Sequence, residues 1–182
     1  MSLPVPPSRA AAPSTEDLAA ALTLEELPAA LTLDEALCFA LYSASRALTG
    51  FYRPRLDALG ITYPQYLVLL ALWERDGLTV GTLGERLRLD YGTLSPLLKR
   101  LEAGGLVSRV RRTEDERSVT VSLTGGGRAL RPRAVCIPDQ VMAATGLDRE
   151  SFESLREVLG HLTAAVTAGA AGATGAAITP RG

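Results

Sequence analysis

Few residue types in this 182-residue chain could do covalent chemistry: two cysteines, Cys38 and Cys136, and one histidine, His161. A cysteine thiolate can attack a peroxide or form a disulfide. Cys38 lies in "EALCFALYSASRAL", where leucines and alanines recur at helical spacing, so the helix does not need a thiol to fold. Periodicity alone therefore leaves two interpretations open, a small packed residue or a reactive thiol.

Metal binding and cofactor chemistry have little support in the sequence. His161 is the only histidine, and no cluster of Cys and His at metal-ligand spacing accompanies Cys38. The same absence argues against a Cys–His nucleophile. We expect neither a metal nor a cofactor.

Composition bounds the class of protein. The length suits one domain, 47% of the residues are apolar, and the net charge is −1. A protein that coats nucleic acid through bulk charge is excluded, although a local basic patch is not. Two cysteines do not make a disulfide scaffold, and neither a signal peptide nor an apolar run of about 20 residues is present. We therefore expect no membrane association and a cytoplasmic location.

The elements that must position the cysteines are mostly helical. The pattern predicts a helix over 34–58, and two weaker helices over 126–144 and 148–167. Residues 1–16 are rich in Pro, Ala and Ser and are interpreted as a disordered arm. The Gly/Ala-rich residues 167–182 are interpreted as a flexible tail.

Residues 61–125 have the pattern of a winged helix-turn-helix. One helix is expected after Thr62 as N-cap with Pro64 in its first turn, and a second after Thr79. A third ends at Gly104 and Gly105. The apolar period then changes from about 3.6 to 2 in "LVSRVRRTEDERSVTVSLT", where Leu106, Ser108 and Val110 alternate with charged residues, so a hairpin with a polar tip follows.

The third of these helices would enter the DNA major groove, and the hairpin would reach the adjacent backbone or minor groove. Because a proline deep in a helix costs about 3 kcal/mol or more, we expect this helix to begin near Gly92 or Thr93, which places Pro96 in its first turn. The side chains that we expect at the DNA are Thr93, Ser95, Lys99, Arg100, Arg112 and Arg117, with Asp115 orienting Arg117. The alternative interpretation is that these charged residues form only a solvated helix face and loop, without binding DNA.

Several stretches resemble one family. "LDEALCFALYSASRAL", "FYRPRLDALGITYPQYLVLLALWE", "LDYGTLSPLLKRLEAGGLVSR" and "EDERSVTVSLT" are similar, over residues 34–165, to the organic hydroperoxide resistance regulators of the MarR family. The resemblance implies a mainly α-helical fold with a small β-hairpin. It also implies dimerisation through 17–60 and 126–166, with two winged helices on a palindromic operator. The dimer would repress transcription until an organic hydroperoxide oxidises a cysteine.

The same resemblance assigns the sensing residues. Cys38 matches the sensing cysteine, and Tyr52 and Tyr63 match the tyrosines that hydrogen-bond to it. Phenolic hydroxyls stabilise a thiolate without adding net charge. Cys136 is a possible resolving cysteine that would trap the sulfenic acid as a disulfide. In the family pattern, however, the resolving position falls near Ala143, so a small-molecule thiol is the alternative.

Three other functions remain open at the level of sequence. A MarR-type repressor could be released by a small phenolic ligand, with Cys38 structural. A thiol peroxidase would turn over hydroperoxide, but it would leave the winged helix unexplained, so we do not expect an enzyme. A constitutive architectural protein would bind DNA regardless of redox state.

Overall fold

The computed structural model describes residues 32–111 and 119–175. By contacts, the chain divides into two compact units, the first ending at Ala47 and the second beginning at Leu48. The elements, in chain order, are α1 (Leu37–Asp57), α2 (Tyr63–Glu74), β1 (Leu78–Thr79), α3 (Val80–Leu87), α4 (Tyr91–Ala103), β2 (Val107–Arg111), β3 (Val119–Leu123), α5 (Gly125–Ala134), α6 (Ile137–Thr145) and α7 (Arg149–Gly175).

Helices α2 to α4 and the hairpin β2–β3 form the winged helix-turn-helix that the sequence predicts. Local signals set the helix starts, because the N–H of Thr62 donates to Gln65 (2.8 Å) and Thr79 accepts from the N–H of Thr82 (3.1 Å). Both predicted N-caps are confirmed. The apolar faces close over one core, whose fully buried side chains include Leu69, Leu72, Leu83, Leu94, Leu98, Leu101, Val107 and Val121.

The sheet has three antiparallel strands in the order β1-β3-β2. Leu78 pairs with Val121, and Val107 pairs with Leu123. The two-residue β1 was not predicted, since so short a strand has no period of its own. In β2, Val107 is buried whereas Val110 is 63% exposed, so Val107 lies on the face that packs on the core.

Helix α4 starts earlier than we expected. Asp90 is its N-cap, so the helix begins at Tyr91 and Pro96 lies inside it rather than in the first turn. The Asp90 carboxylate accepts from both the N–H (2.8 Å) and the hydroxyl (2.9 Å) of Thr93. These two hydrogen bonds stabilise the first turn of α4, and Pro96 lies in its second turn.

The C-terminal helices also differ from expectation. The helix expected over 126–144 is divided into α5 and α6, with Cys136 as the N-cap of α6 and Pro138 in its first turn. Pro138 has no N–H to donate to the carbonyl of Ala134, four residues earlier, and its ring would clash with that carbonyl, so one continuous helix cannot form there. Helix α7 continues to Gly175, so the tail expected from 167 is wrong over 167–175; alanine-rich sequence favours helix. Residues 176–182 and the expected arm over 1–16 lie outside the described residues.

Candidate DNA-binding and thiol sites

Helix α4 presents a polar face beside its buried one. Leu94, Leu97, Leu98 and Leu101 anchor it in the core, and the opposite face is exposed. The predicted DNA-contacting residues Thr93, Lys99 and Arg100 are all exposed, while Ser95 is half-buried. Three of the four predictions on this helix are therefore placed where a groove could receive them.

The start of α4 is not an open phosphate site. The Asp90 carboxylate occupies the end of the helix, and its hydrogen bonds from Thr93 lower its pKa, so it is ionised at neutral pH. A carboxylate there competes with a DNA phosphate for the helix N–H groups. Sequence reasoning missed this role, although an Asp three residues before a Thr at a helix start is a recognisable cap.

Two arginines of the winged helix-turn-helix, which were not among the predicted DNA contacts, form ion pairs within the protein. Arg109 donates to Glu102 through Nε (2.8 Å) and Nη2 (2.5 Å), joining β2 to α4 and lowering the pKa of Glu102. Arg86 pairs with Glu74. Both arginines therefore form ion pairs between elements of the fold. Lys99 and Arg100 remain as the exposed cations of α4. The predicted hairpin residues Arg112, Asp115 and Arg117 lie outside the described residues.

Three tyrosines pack together in the second unit. The ring centroids of Tyr52 and Tyr63 are 4.9 Å apart, and those of Tyr52 and Tyr66 are 5.8 Å apart. Burial raises the pKa of Tyr63, and burial together with the proximity of Tyr63 raises that of Tyr52. Both phenols therefore stay protonated at neutral pH and can donate a hydrogen bond. The structure brings together the two tyrosines that the resemblance singled out.

Cys38 lies in the first unit, at the second residue of α1, and it is exposed. An exposed thiol is open to solvent and reagents, in contrast to the buried packing residue of the alternative interpretation. One and two turns further along the helix, Tyr42 accepts a hydrogen bond from Arg46 Nη1 (2.9 Å). The same guanidinium lies 5.6 Å from the centre of the Tyr42 ring.

Cys136 is also an exposed free cysteine, at the corner between α5 and α6. It lies near the tyrosine cluster. Burial, Tyr52, Tyr63 and Cys136 together raise the pKa of Tyr66 to about 12. The corner is held to the end of α1 by Arg55 Nε, which donates to Gln140 (2.7 Å), and by Arg133 Nη2, which donates to the carbonyl of Ala58 (3.1 Å).

A cavity of about 190 Å³ lies between α2 and α5. Its walls combine aromatic and aliphatic side chains with one acid and one base, which makes it a possible small-molecule site. The residues that line it are Tyr66, Leu70, Trp73, Glu74, Arg131, Ala134, Val135 and Pro138.

Two negative findings apply to the described residues. Over 32–111 and 119–175, no three His, Cys, Asp or Glu side chains come together as a metal site would require. In the same part of the chain, every helix is too short or too polar to cross a membrane.

Comparison with known proteins gives concordant relatives. Residues 50–131 match the model of the transcriptional regulator SarA/Rot family. The chain is 53% identical over 122 residues to the organic hydroperoxide resistance transcriptional regulator of Bacillus subtilis. The matched region covers 67% of this chain and 81% of that protein.

Solved structures agree. Reduced AbfR bound to DNA is 38% identical and has a TM-score of 0.59, covering 72% of this chain and 95% of that one. Disulfide-formed AbfR is 39% identical with a TM-score of 0.51, covering 72% and 92%; AbfR is a protein of Staphylococcus epidermidis. The chain belongs to the MarR family of DNA-binding transcriptional regulators, in its organic hydroperoxide resistance group, and is not an enzyme.

Proposed function

We propose that this protein is a repressor that binds operator DNA as a homodimer and releases it when an organic hydroperoxide oxidises Cys38. The observation that carries the proposal is the pair Tyr52 and Tyr63, which pack together as protonated hydrogen-bond donors in a chain whose Cys38 thiol is exposed. We propose a cytoplasmic location, since a repressor acts where its operator DNA lies.

The proposed chemistry is a two-electron oxidation. The Cys38 thiolate attacks the distal oxygen of the hydroperoxide, the O–O bond breaks, and a sulfenic acid forms. The departing alkoxide takes a proton and leaves as an alcohol. Tyr52 and Tyr63 would stabilise the attacking anion by donating hydrogen bonds to it.

The sensing site that we propose is shared between protomers. Cys38 and Tyr52 are fourteen positions apart in the sequence, and that length of α-helix rises about 21 Å. A tyrosine side chain does not reach so far. The thiol of one protomer would therefore meet Tyr52 and Tyr63 of the partner subunit, so the site would form only in the dimer.

Exposed apolar side chains support a dimer. Helix α7 leaves Leu155, Val158, Leu159 and Val166 exposed to between 38% and 63%. In the first unit, Leu37, Leu41 and Tyr42 are similarly uncovered. Apolar faces of this kind are normally covered by another protein surface, and a second copy of the chain is the occupant that the proposed site requires.

The test is an operator-shift assay of wild type and Cys38→Ser, with and without cumene hydroperoxide. We expect both proteins to bind the operator, and only wild type to release it after oxidation. Release of Cys38→Ser by the same peroxide would refute the sensing role. Hydrogen peroxide is a second arm, because the apolar side chains that the proposed dimer would bring to Cys38 should favour the organic peroxide; equal oxidation rates would contradict this selectivity.

We further propose that Cys136 resolves the sulfenic acid of Cys38 from the partner subunit. Cys136 is near enough to Tyr66 to raise its pKa, and Tyr66 packs against Tyr52, one of the two tyrosines that would bind the partner's thiol. The thiolate of Cys136 would attack the Cys38 sulfur, forming the S–S bond as the S–O bond breaks, and the departing hydroxide would take a proton from solvent and leave as water. The existence of a disulfide-formed AbfR structure supports the idea for a relative.

Non-reducing electrophoresis after peroxide treatment tests the resolving role. Wild type should give a crosslinked dimer, and Cys136→Ser should not, while it keeps the sulfenic acid detectable by dimedone labelling. A crosslinked dimer in Cys136→Ser, or none in wild type, would assign the capping to another thiol.

A second function is favoured by the cavity between α2 and α5. Its mixed apolar and charged lining suits a small phenolic ligand, with release independent of Cys38. Operator release by such a compound in Cys38→Ser, abolished by Ala134→Trp, which fills the cavity, would establish this alternative. Release that needs Cys38 would exclude it.

A further inference from the structure

The carboxylate of Asp76 lies where three elements of the second unit meet. Its Oδ1 accepts hydrogen bonds from the N–H groups of Gly77 (2.9 Å) and Leu123 (2.8 Å). Its Oδ2 accepts from Arg128 Nη2 (2.8 Å). One side chain thus joins the loop after α2, the last residue of β3 and the first turns of α5. We call these hydrogen bonds of Asp76 with Gly77, Leu123 and Arg128 the joint.

These elements are the ones that a regulator must couple. Helix α2 begins at Tyr63, strand β3 is half of the hairpin, and α5 leads directly to the corner at Cys136. A parallel contact reinforces the joint, since Trp73 Nε1 donates to the carbonyl of Gly127 (3.0 Å). Hairpin and sensing region are therefore connected through a few adjacent hydrogen bonds.

The joint depends on the charge of Asp76. Partial burial by itself would raise the pKa of Asp76, but the hydrogen bonds from Leu123, Gly77 and Arg128 outweigh it and lower the pKa. The carboxylate is consequently ionised at neutral pH. Charge-assisted hydrogen bonds are stronger than neutral ones, so they hold their geometry better.

We propose that Asp76 is a positioning residue for operator binding: by holding Leu123 and Arg128 it sets the angle at which the hairpin leaves the body of the protein. In the same joint, α5 transmits the state of the thiol site to the hairpin. This second part rests on the proposed redox function, whereas the first part needs only operator binding.

The test compares Asp76→Asn with Glu74→Gln in the full-length reduced protein. Both variants remove one negative charge from the same region, so their general electrostatic effects on DNA binding match. Glu74 forms its ion pair with Arg86 of α3, whereas Asp76 bonds to β3 and α5. Operator Kd is measured on the active fraction, determined by stoichiometric titration, so that loss of folded protein does not count as loss of affinity.

We expect Asp76→Asn to weaken operator binding about tenfold relative to Glu74→Gln, because a charge-assisted bond is lost at the base of the hairpin. Arg128→Gln should weaken it similarly, and the double variant should be no worse than either single variant. Additive losses would mean that Arg128 contacts DNA itself. Arg131→Gln, on the same helix, controls for the removal of a cation from α5.

Three results would overturn the positioning role. They are equal Kd values for Asp76→Asn and Glu74→Gln, additive losses in the double variant, and a smaller active fraction of Asp76→Asn whose Kd is unchanged. Transmission is tested separately by the ratio of operator Kd after and before cumene hydroperoxide. This ratio should fall at least threefold in Asp76→Asn, and an unchanged ratio would refute transmission. If wild type itself shows no ratio above one, the redox function fails, while the reduced-state comparison still decides the positioning role.

Discussion

At the scale of single residues, the two tyrosines of the proposed sensing site are suited to stabilise a thiolate. Tyr52 and Tyr63 are held by ring packing, and burial keeps their hydroxyls protonated. A donor that remains protonated stabilises an anion over the whole physiological pH range. Histidine would change its own charge near neutrality, so it would make such a site pH-sensitive.

Replacing either phenol should slow the oxidation of Cys38. We expect Tyr52→Phe and Tyr63→Phe each to reduce the rate of sulfenic acid formation about tenfold, because each removes one hydrogen bond to a charged sulfur. Stopped-flow oxidation with cumene hydroperoxide measures this rate. Tyr91→Phe is the control, since Tyr91 is 72% exposed on α4; an equal slowing there would contradict a specific role for the cluster.

The pH dependence of stability offers an independent check on Tyr66. Because its pKa is raised from 10 to about 12, the folded protein retains a proton there that the unfolded chain loses. Stability should therefore fall as pH rises from about 10 to 12, and it should be unaffected below that window. Urea unfolding should show a smaller alkaline loss for Tyr66→Phe than for wild type, and identical losses would contradict the raised pKa.

At the scale of elements, the contact of α5 with the hairpin base is very close. A Cβ on Gly127 would lie 2.1 Å from the carbonyl oxygen of Leu106, whereas a Cβ on Gly125 would meet nothing within 4 Å. The helix can approach the backbone so closely only because residue 127 has no side chain. This approach also puts the carbonyl of Gly127 within reach of Trp73.

Gly127→Ala should therefore destabilise the protein, by about 1–3 kcal/mol or more. Gly125→Ala is matched in chemistry and lies in the same helical turn, and it should be neutral or slightly stabilising. Urea unfolding at one protein concentration measures both. If the two variants were equally stable, the close contact would not constrain the fold.

Sequence reasoning succeeded for elements with strong local signals and failed where packing decided. Thr62 and Thr79 were identified as caps from type and position alone. The start of α4 was misplaced because the weight given to Pro96 hid the cap at Asp90. The sequence did not indicate which face of β2 is buried, because Val107 and Val110 are both valines on opposite faces and only the core distinguishes them.

At the scale of the whole molecule, α7 carries an apolar stripe in which Phe152 and Leu162 are half-buried and the other members are exposed in the described chain. Phe152, Leu155, Leu159, Leu162 and Val166 alternate at spacings of three and four. This is the 3.5-residue period of a helix that packs along another helix. The stripe is consistent with the proposed homodimer.

Charges placed on the stripe should dissociate that dimer. We expect Leu155→Glu/Leu159→Glu to shift the protein to monomer and to lose operator binding, since a winged helix alone contacts only one half-site. Sedimentation velocity measures the first effect and an operator-shift assay the second. Ala164→Glu adds a charge on the opposite side of α7 and should remain dimeric. A dimeric double variant would place the interface elsewhere.

The sequence by itself determined the winged helix-turn-helix, though not β1 or the break between α5 and α6, together with the family and the residue types available for thiol chemistry, because these depend on local periodicity, caps and motif spacing. Tertiary structure alone decided which residues meet: Tyr52 with Tyr63, Cys136 near Tyr66, and Asp76 with Leu123 and Arg128. It also showed that Arg86 and Arg109 form ion pairs within the protein. Contacts between residues far apart in the chain follow from how the helices pack, and no local pattern records that packing.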